Sequence, residues 1–130
     1  MSEDARARRL WWNGLALFTF GLAFGFVFKS LPNARAGLTA HLSAVQSGTF
    51  LVALGLLWPQ LVPRLRAVGL LANANCVAFW LLQAGLTIPA FVPAKTTGGV
   101  MLAAFGLQLV GSVTMFVSVG ALLVPMKRAR

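Results

Sequence analysis

Four apolar runs occupy most of this chain, at residues 10–28, 38–57, 67–92 and 98–124, and no acidic residue falls in any of them. Each is near or above the ~20 residues that cross a bilayer core as helix. The last two are long enough to tilt or to extend past the hydrocarbon. Only 10% of the 130 residues are charged and 58% are hydrophobic, whereas a soluble domain carries about 25% charge. So few charges cannot cover a water-facing surface. The expected fold is all-α, a four-transmembrane-helix bundle forming a single integral membrane domain over residues 1–130.

The breakers suit this reading. Pro32, Pro59, Pro63 and Pro93 are expected in short connections, Pro125 after the last helix, and Pro89 as a kink or stop near the end of the third. Short connections make sequence neighbours antiparallel neighbours. Trp11, Trp12 and Trp58 lie at segment ends, where aromatic rings favour the membrane interface; Trp80 is mid-helix, and packing is its simplest role. Small residues recur at helix-packing spacing, as in Gly21-x-x-x-Gly25. Arg8 and Arg9 followed by an apolar run also resemble a signal peptide, but a run of 19 residues over 10–28 exceeds the usual ~7–15 of a signal core.

The net charge of +9 does not point to nucleic acid, because the basic residues flank apolar segments instead of forming a folded basic face. Eight of the eleven Lys and Arg fall at the N-terminus, the second connection and the C-terminus (Arg6, Arg8, Arg9, Arg64, Arg66, Lys127, Arg128, Arg130). The positive-inside rule then puts both termini in the cytoplasm of a multi-pass inner-membrane protein, with the lipid bilayer as its first partner. The lone cysteine, Cys76, rules out an intrachain disulfide.

The only acids are Glu3 and Asp4. A proton-coupled small transporter needs a membrane-embedded carboxylate, so that class is disfavoured, and carboxylate catalysis or metal binding within the spans is excluded. The single histidine, His41, shares a helical face with Gly37, Ala44, Gly48 and Gly55 at ~100° per residue. A flat strip with one nitrogen donor suits a planar metallated macrocycle, and imidazole is a haem axial ligand. On the strip alone, helix packing is the favoured reading. One histidine per chain implies an iron with an open position, or a haem shared between chains. Such an iron is a Lewis acid able to polarise a bound oxygen. Met101, Met115 and Cys76 are conceivable second ligands that nothing singles out. Asn73 and Asn75 stand two apart, so at most one faces a given pocket; inter-helix hydrogen bonding is their simplest role. Ser47 is about 120° from His41 on the wheel.

Residues 8–64 resemble the hydroxylaminobenzene mutase family of small membrane isomerases. The resemblance rests on Arg9-Leu10-Trp11-Trp12-Asn13-Gly14, on Asn33-Ala34-Arg35-Ala36-Gly37-Leu38-Thr39-Ala40-His41-Leu42, on Ser47-Gly48-Thr49-Phe50-Leu51 and on Leu54-Gly55-Leu56-Leu57-Trp58-Pro59. Styrene oxide isomerases are similar in a sparser way, through Ala40-His41 and Gly48. What the resemblance implies is a homotrimer that holds ferric haem b near subunit interfaces, with His41 as axial ligand. It also implies redox-neutral rearrangement of an aryl hydroxylamine or aryl epoxide by Lewis-acid weakening of an N–O or C–O bond.

The expected site is therefore His41 as iron ligand, with Gly37, Ala44 and Gly48 against the haem, and Ser47, Asn73 or Asn75 beside a small aromatic substrate. Two departures bear on the substrate side. Ser47 stands where these families commonly have asparagine, and the third helix lacks their tyrosine, since the chain has none. The rival reading is a non-catalytic membrane haem-binding or assembly subunit.

Overall fold

A computed structural model describes residues 2–65 and 67–124. Pro125 and the basic positions Arg66, Lys127, Arg128 and Arg130 lie outside the described residues. The chain forms four helices, α1 (Glu3–Val27), α2 (Ala34–Leu61), α3 (Val68–Thr87) and α4 (Gly99–Leu123), and no strand occurs among the described residues. All four are long and apolar enough to cross a membrane, as a multi-pass membrane protein requires. The helices pair as two hairpins, α1 with α2 and α3 with α4, and the hairpins meet mainly through α2 and α3.

Helix ends depart from the apolar boundaries wherever a polar cap extends the helix. α1 begins at Glu3 because the Ser2 hydroxyl accepts from the Ala5 N–H, and Glu3 and Asp4 complement the positive end of the helix dipole. Glu3 also accepts from the Arg6 guanidinium. α2 begins at Ala34 because the Asn33 side chain accepts from the Ala36 N–H at 3.1 Å. The Asn33 N–H in turn donates to the Ala90 carbonyl at 3.2 Å, tying the first connection to the third.

Pro59, expected in a connection, lies inside α2. So near the helix end it removes a single ladder bond, and the helix continues to Leu61. Pro89 behaves as expected. The α3 helix stops at Thr87, and Ile88–Phe91 forms a 3₁₀ turn with Pro89 in its first positions.

Trp58 corrects a second expectation. It is fully buried within a cluster of Leu10, Leu17, Leu51, Leu54 and Phe79, so it belongs to the core and not to the interface. A smaller cluster of Phe24, Ala40 and Ala90 fills the other end. α4 is the most exposed helix, and only Ala104, Gly111 and Ser118, seven residues apart, are buried. Its outward Leu102, Phe105, Leu109, Phe116 and Val117 suit lipid.

Glycines set the spacing within each hairpin. A Cβ on Gly48 would lie 2.5 Å from the Phe18 nitrogen, and one on Gly111 would lie 2.5 Å from the Leu82 nitrogen. Neither backbone can yield without separating the helices. Gly48→Val and Gly111→Val should each cost about 1–3 kcal/mol or more by overpacking. Gly106→Ala, with nothing within 4 Å of its added carbon, should be nearly neutral. Loss of helical circular dichroism during denaturation of the detergent-purified variants measures both.

Candidate functional site

His41 projects from α2 toward α1. Its Nδ1 lies 2.7 Å from the Gly21 carbonyl oxygen. A carbonyl only accepts, so Nδ1 is the donor, and in the neutral ring this leaves the lone pair on Nε2. A carbonyl on one ring nitrogen is the usual means of orienting a histidine whose other nitrogen binds a metal.

The space for the ring comes from Gly25. A Cβ there would lie 2.8 Å from Cε1 and 2.9 Å from Nδ1 of His41. The Phe28 ring lies nearly parallel to the imidazole, at 8° and 6.2 Å between centroids. The imidazole itself is half-buried. On its other side α2 is anchored to α3, where the buried Gln83 donates from Nε2 to the Ala40 carbonyl at 2.9 Å. Gln83 Oε1 is buried without a partner.

The small-residue strip faces α1 along its length. Gly37 abuts Phe28, Ala44 abuts Gly21, Gly48 abuts Gly14 and Phe18, and Gly55 abuts Trp11. Gly37, Ala44 and Gly48 therefore pack helix on helix in this fold and do not present an open face to a planar group. Their small size is used by the α1 backbone, and His41 is the one member of the strip with an accessible edge.

A second feature lies on a different face of α2. A cavity of about 580 Å³ is bounded by Ser43, Ser47 and Phe50 on α2, Phe79 on α3, and Met115 and Phe116 on α4. Gln46 adds an amide to the α2 wall. The wall is polar along α2 and apolar elsewhere, a lining that holds a small apolar molecule with one polar end. Phe116 and Leu123 on its rim are exposed. His41 is not among the lining residues.

The three expected substrate-side residues are not brought together. Ser47 lines the cavity. Asn73 is exposed on α3 and accepts from the Arg9 guanidinium at 2.8 Å. Asn75 is fully buried, donates to its own helix at the Leu71 carbonyl (2.9 Å), and leaves Oδ1 unpartnered. Inter-helix bonding, expected of both, thus holds for Asn73 alone. Trp80 does more than pack, since its indole donates to Asn13 Oδ1 at 2.9 Å. Met115 lines the cavity, while Cys76 faces a groove between α1 and α3.

Among the described residues no three His, Cys, Asp or Glu side chains gather to hold a bare metal ion. An isolated imidazole is nevertheless all that a macrocycle-held iron needs from the protein on one side.

The model of the styrene oxide isomerase family matches residues 6–126, nearly the whole chain. The chain belongs to this family. Among relatives, hydroxylaminobenzene mutase HabB of Ectopseudomonas oleovorans is 54% identical over 61 residues, 46% of this chain and 37% of its own. Hydroxylaminobenzene mutase HabA of the same organism is 38% identical over 74 residues, 56% of this chain and 49% of its own. The matched stretches thus span less than half the length of either relative. No solved structure matches significantly.

For this styrene oxide isomerase family member, sequence reading missed three contributors to the imidazole seat: the Gly21 carbonyl, the bare Cα of Gly25, and Gln83 behind Ala40. Gly21-x-x-x-Gly25 was visible as a packing motif, but its histidine partner, 20 and 16 residues on, lies on another helix. Because the chain has one histidine, ¹⁵N-histidine spectra report this seat alone. They should show a protonated Nδ1 and an unprotonated Nε2 in the neutral ring. Gly25→Val should displace the ring and shift both nitrogens, whereas Gly120→Ala, which meets nothing within 4 Å, should leave them in place.

Proposed function

We propose that this protein is a membrane-embedded isomerase or mutase that binds haem b through His41. Its substrate would be a small aromatic carrying an N–O or C–O bond, an aryl hydroxylamine or aryl epoxide. The observation that carries this reading is the imidazole itself. In a chain whose family and relatives are named for isomerases and mutases, the single histidine has Nδ1–H held by a backbone carbonyl and Nε2 free to ligate. The donor set fits haem, which takes four ligands from its own ring and asks the chain for one. Gly25 provides the cradle, Gly21 the orienting carbonyl, and Phe28 a flat neighbour.

When bound, the haem iron supplies a Lewis acid that weakens the bond to the substrate oxygen. The chain's own part is binding and exclusion. The Ser43 and Ser47 hydroxyls and the Gln46 amide would hold the polar end of the substrate, while Phe50, Phe79 and Phe116 hold the ring and keep water out. No titratable side chain is among the residues that line the cavity, which agrees with a redox-neutral rearrangement that asks no carboxylate to move protons.

His41 and the cavity lie on different faces of α2. We therefore take the working unit to be the homotrimer, in which adjacent chains bring the two together. The basic residues at the start of α1 and at Arg64 support cytoplasmic termini in the inner membrane. A non-catalytic haem-binding subunit is the second reading, favoured by the positions of Asn73 and Asn75 outside the cavity.

The absorption spectrum of the detergent-purified protein tests the proposal. Wild type should show a Soret band and near-stoichiometric haem b by pyridine haemochrome, and His41→Ala should lose both at unchanged fold. A colourless wild type that haemin does not reconstitute overturns the haem assignment. Given haem, turnover of a phenylhydroxylamine or styrene oxide series distinguishes isomerase from binding subunit. Ser47→Leu should then lower kcat/KM by about tenfold, the equivalent of one lost hydrogen bond in a dry site, with the Soret band intact.

A further inference from the structure

A groove of about 450 Å³ runs between α1 and α3 on the outside of the bundle, away from both His41 and the Ser47 cavity. Arg9 stands at one end and Val77, Leu81 and Ala84 line the other, with Trp80 along the side. A chain of hydrogen bonds fixes the polar end. Arg9 donates to Asn73 Oδ1 at 2.8 Å, Asn13 donates to the Arg9 carbonyl at 2.8 Å, and the Trp80 indole donates to Asn13 at 2.9 Å. Arg9 is exposed and has no carboxylate partner among the described residues, the one ion pair there being Arg6 with Glu3. Its guanidinium is held in place by a neutral amide that leaves its charge uncompensated and most of its donors free.

The groove's length and polarity match one kind of ligand. From the level of Asn73 to that of Ala84, α3 rises about 16 Å at 1.5 Å per residue. That is about half the ~30 Å hydrocarbon core, the depth of one leaflet. The cation lies toward the end of the bundle that carries Arg6 and Arg8, and the apolar wall runs inward from it. We infer that this groove binds an anionic phospholipid, its phosphate on Arg9 and one acyl chain along Val77, Leu81 and Ala84. A zwitterionic lipid would set its own cation against Arg9, so charge selects the anionic class.

Native mass spectrometry of the full-length protein in mild detergent, offered equal phosphatidylglycerol and phosphatidylcholine, tests this. Phosphatidylglycerol should be retained preferentially. Arg9→Gln should cut that retention about fivefold, the effect of one basic side chain at an anionic headgroup. Ala84→Phe, which fills the apolar end and leaves the charge, should also cut it, and Arg8→Gln should not. If Arg9→Gln fails to fold, Ala84→Phe decides. Equal retention of the two lipids, or unchanged retention in Ala84→Phe, overturns the proposal. So does displacement of the lipid by inorganic phosphate, which would make this a free-anion site. Cross-linking of cysteines placed at Val77 in two copies, with no lipid retained, would make it a subunit contact and overturn it equally.

Discussion

Gly14 and Gly48 bring α1 and α2 so close that a Cβ on either would lie 2.5 Å from a backbone nitrogen of the other helix. In lipid there is no hydrophobic drive to hold two helices together, because acyl chains are as apolar as leucine; close backbone approach and the dispersion contacts it allows take over. The imidazole seat depends on this approach. His41 reaches the Gly21 carbonyl at 2.7 Å only because α1 lies that near, and it fits beside α1 only because Gly25 has no side chain. The residues that build the hairpin are thus the ones that set the tautomer of the single histidine.

Polar side chains then fix how the second hairpin joins the first. Gln83 ties α3 to α2 at Ala40, Arg9 ties α1 to Asn73, and Trp80 ties α3 to Asn13. Each bond is worth about 0.6–2 kcal/mol in a membrane, enough to set register but not to drive association. Gln108, donating to the Gly85 carbonyl at 2.8 Å, does the same within the α3–α4 hairpin. Among the described residues the only ionisable side chains well inside a span are His41 and Cys76, and the carboxylates Glu3 and Asp4 stand at the start of α1.

What could be read from the sequence divides along physical lines. The four spans and the stop at Pro89 were legible, because run length and the missing proline N–H act locally. The helices start ahead of the apolar runs where Ser2 and Asn33 cap polar turns that hydropathy alone does not register. Trp58 was misplaced because its position near a helix end suits an interface, while the cluster that buries it comes from residues far away in sequence. The strip around His41 was legible as a flat face, but not what covers it. Glycines accept a helix and a flat ligand equally well, and only the partner's position shows that α1 lies there. Asn75 was expected to reach another helix; a carbonyl four residues back on its own helix was nearer.

The division of labour around α2 follows from its period. His41 and Ser47 are six residues apart, which on a helix of ~100° per residue leaves them about 120° apart. The face that orients the imidazole is therefore not the one that lines the Ser47 cavity, and His41 is not among the cavity's lining residues. One helix turned toward α1 on one side and toward α3 and α4 on the other supplies a donor nitrogen and an aromatic-lined pocket that its own chain keeps apart. Under the proposed function, joining the two would take a surface where the half-buried edge of one imidazole meets the cavity of another chain. The lipid-facing rim at Phe116 and Leu123 leaves the cavity side uncovered within a single subunit. If the proposed haem and substrate sites are right, a single subunit would hold the two without joining them. On this reading, dilution to monomer would abolish turnover while leaving the haem spectrum in place.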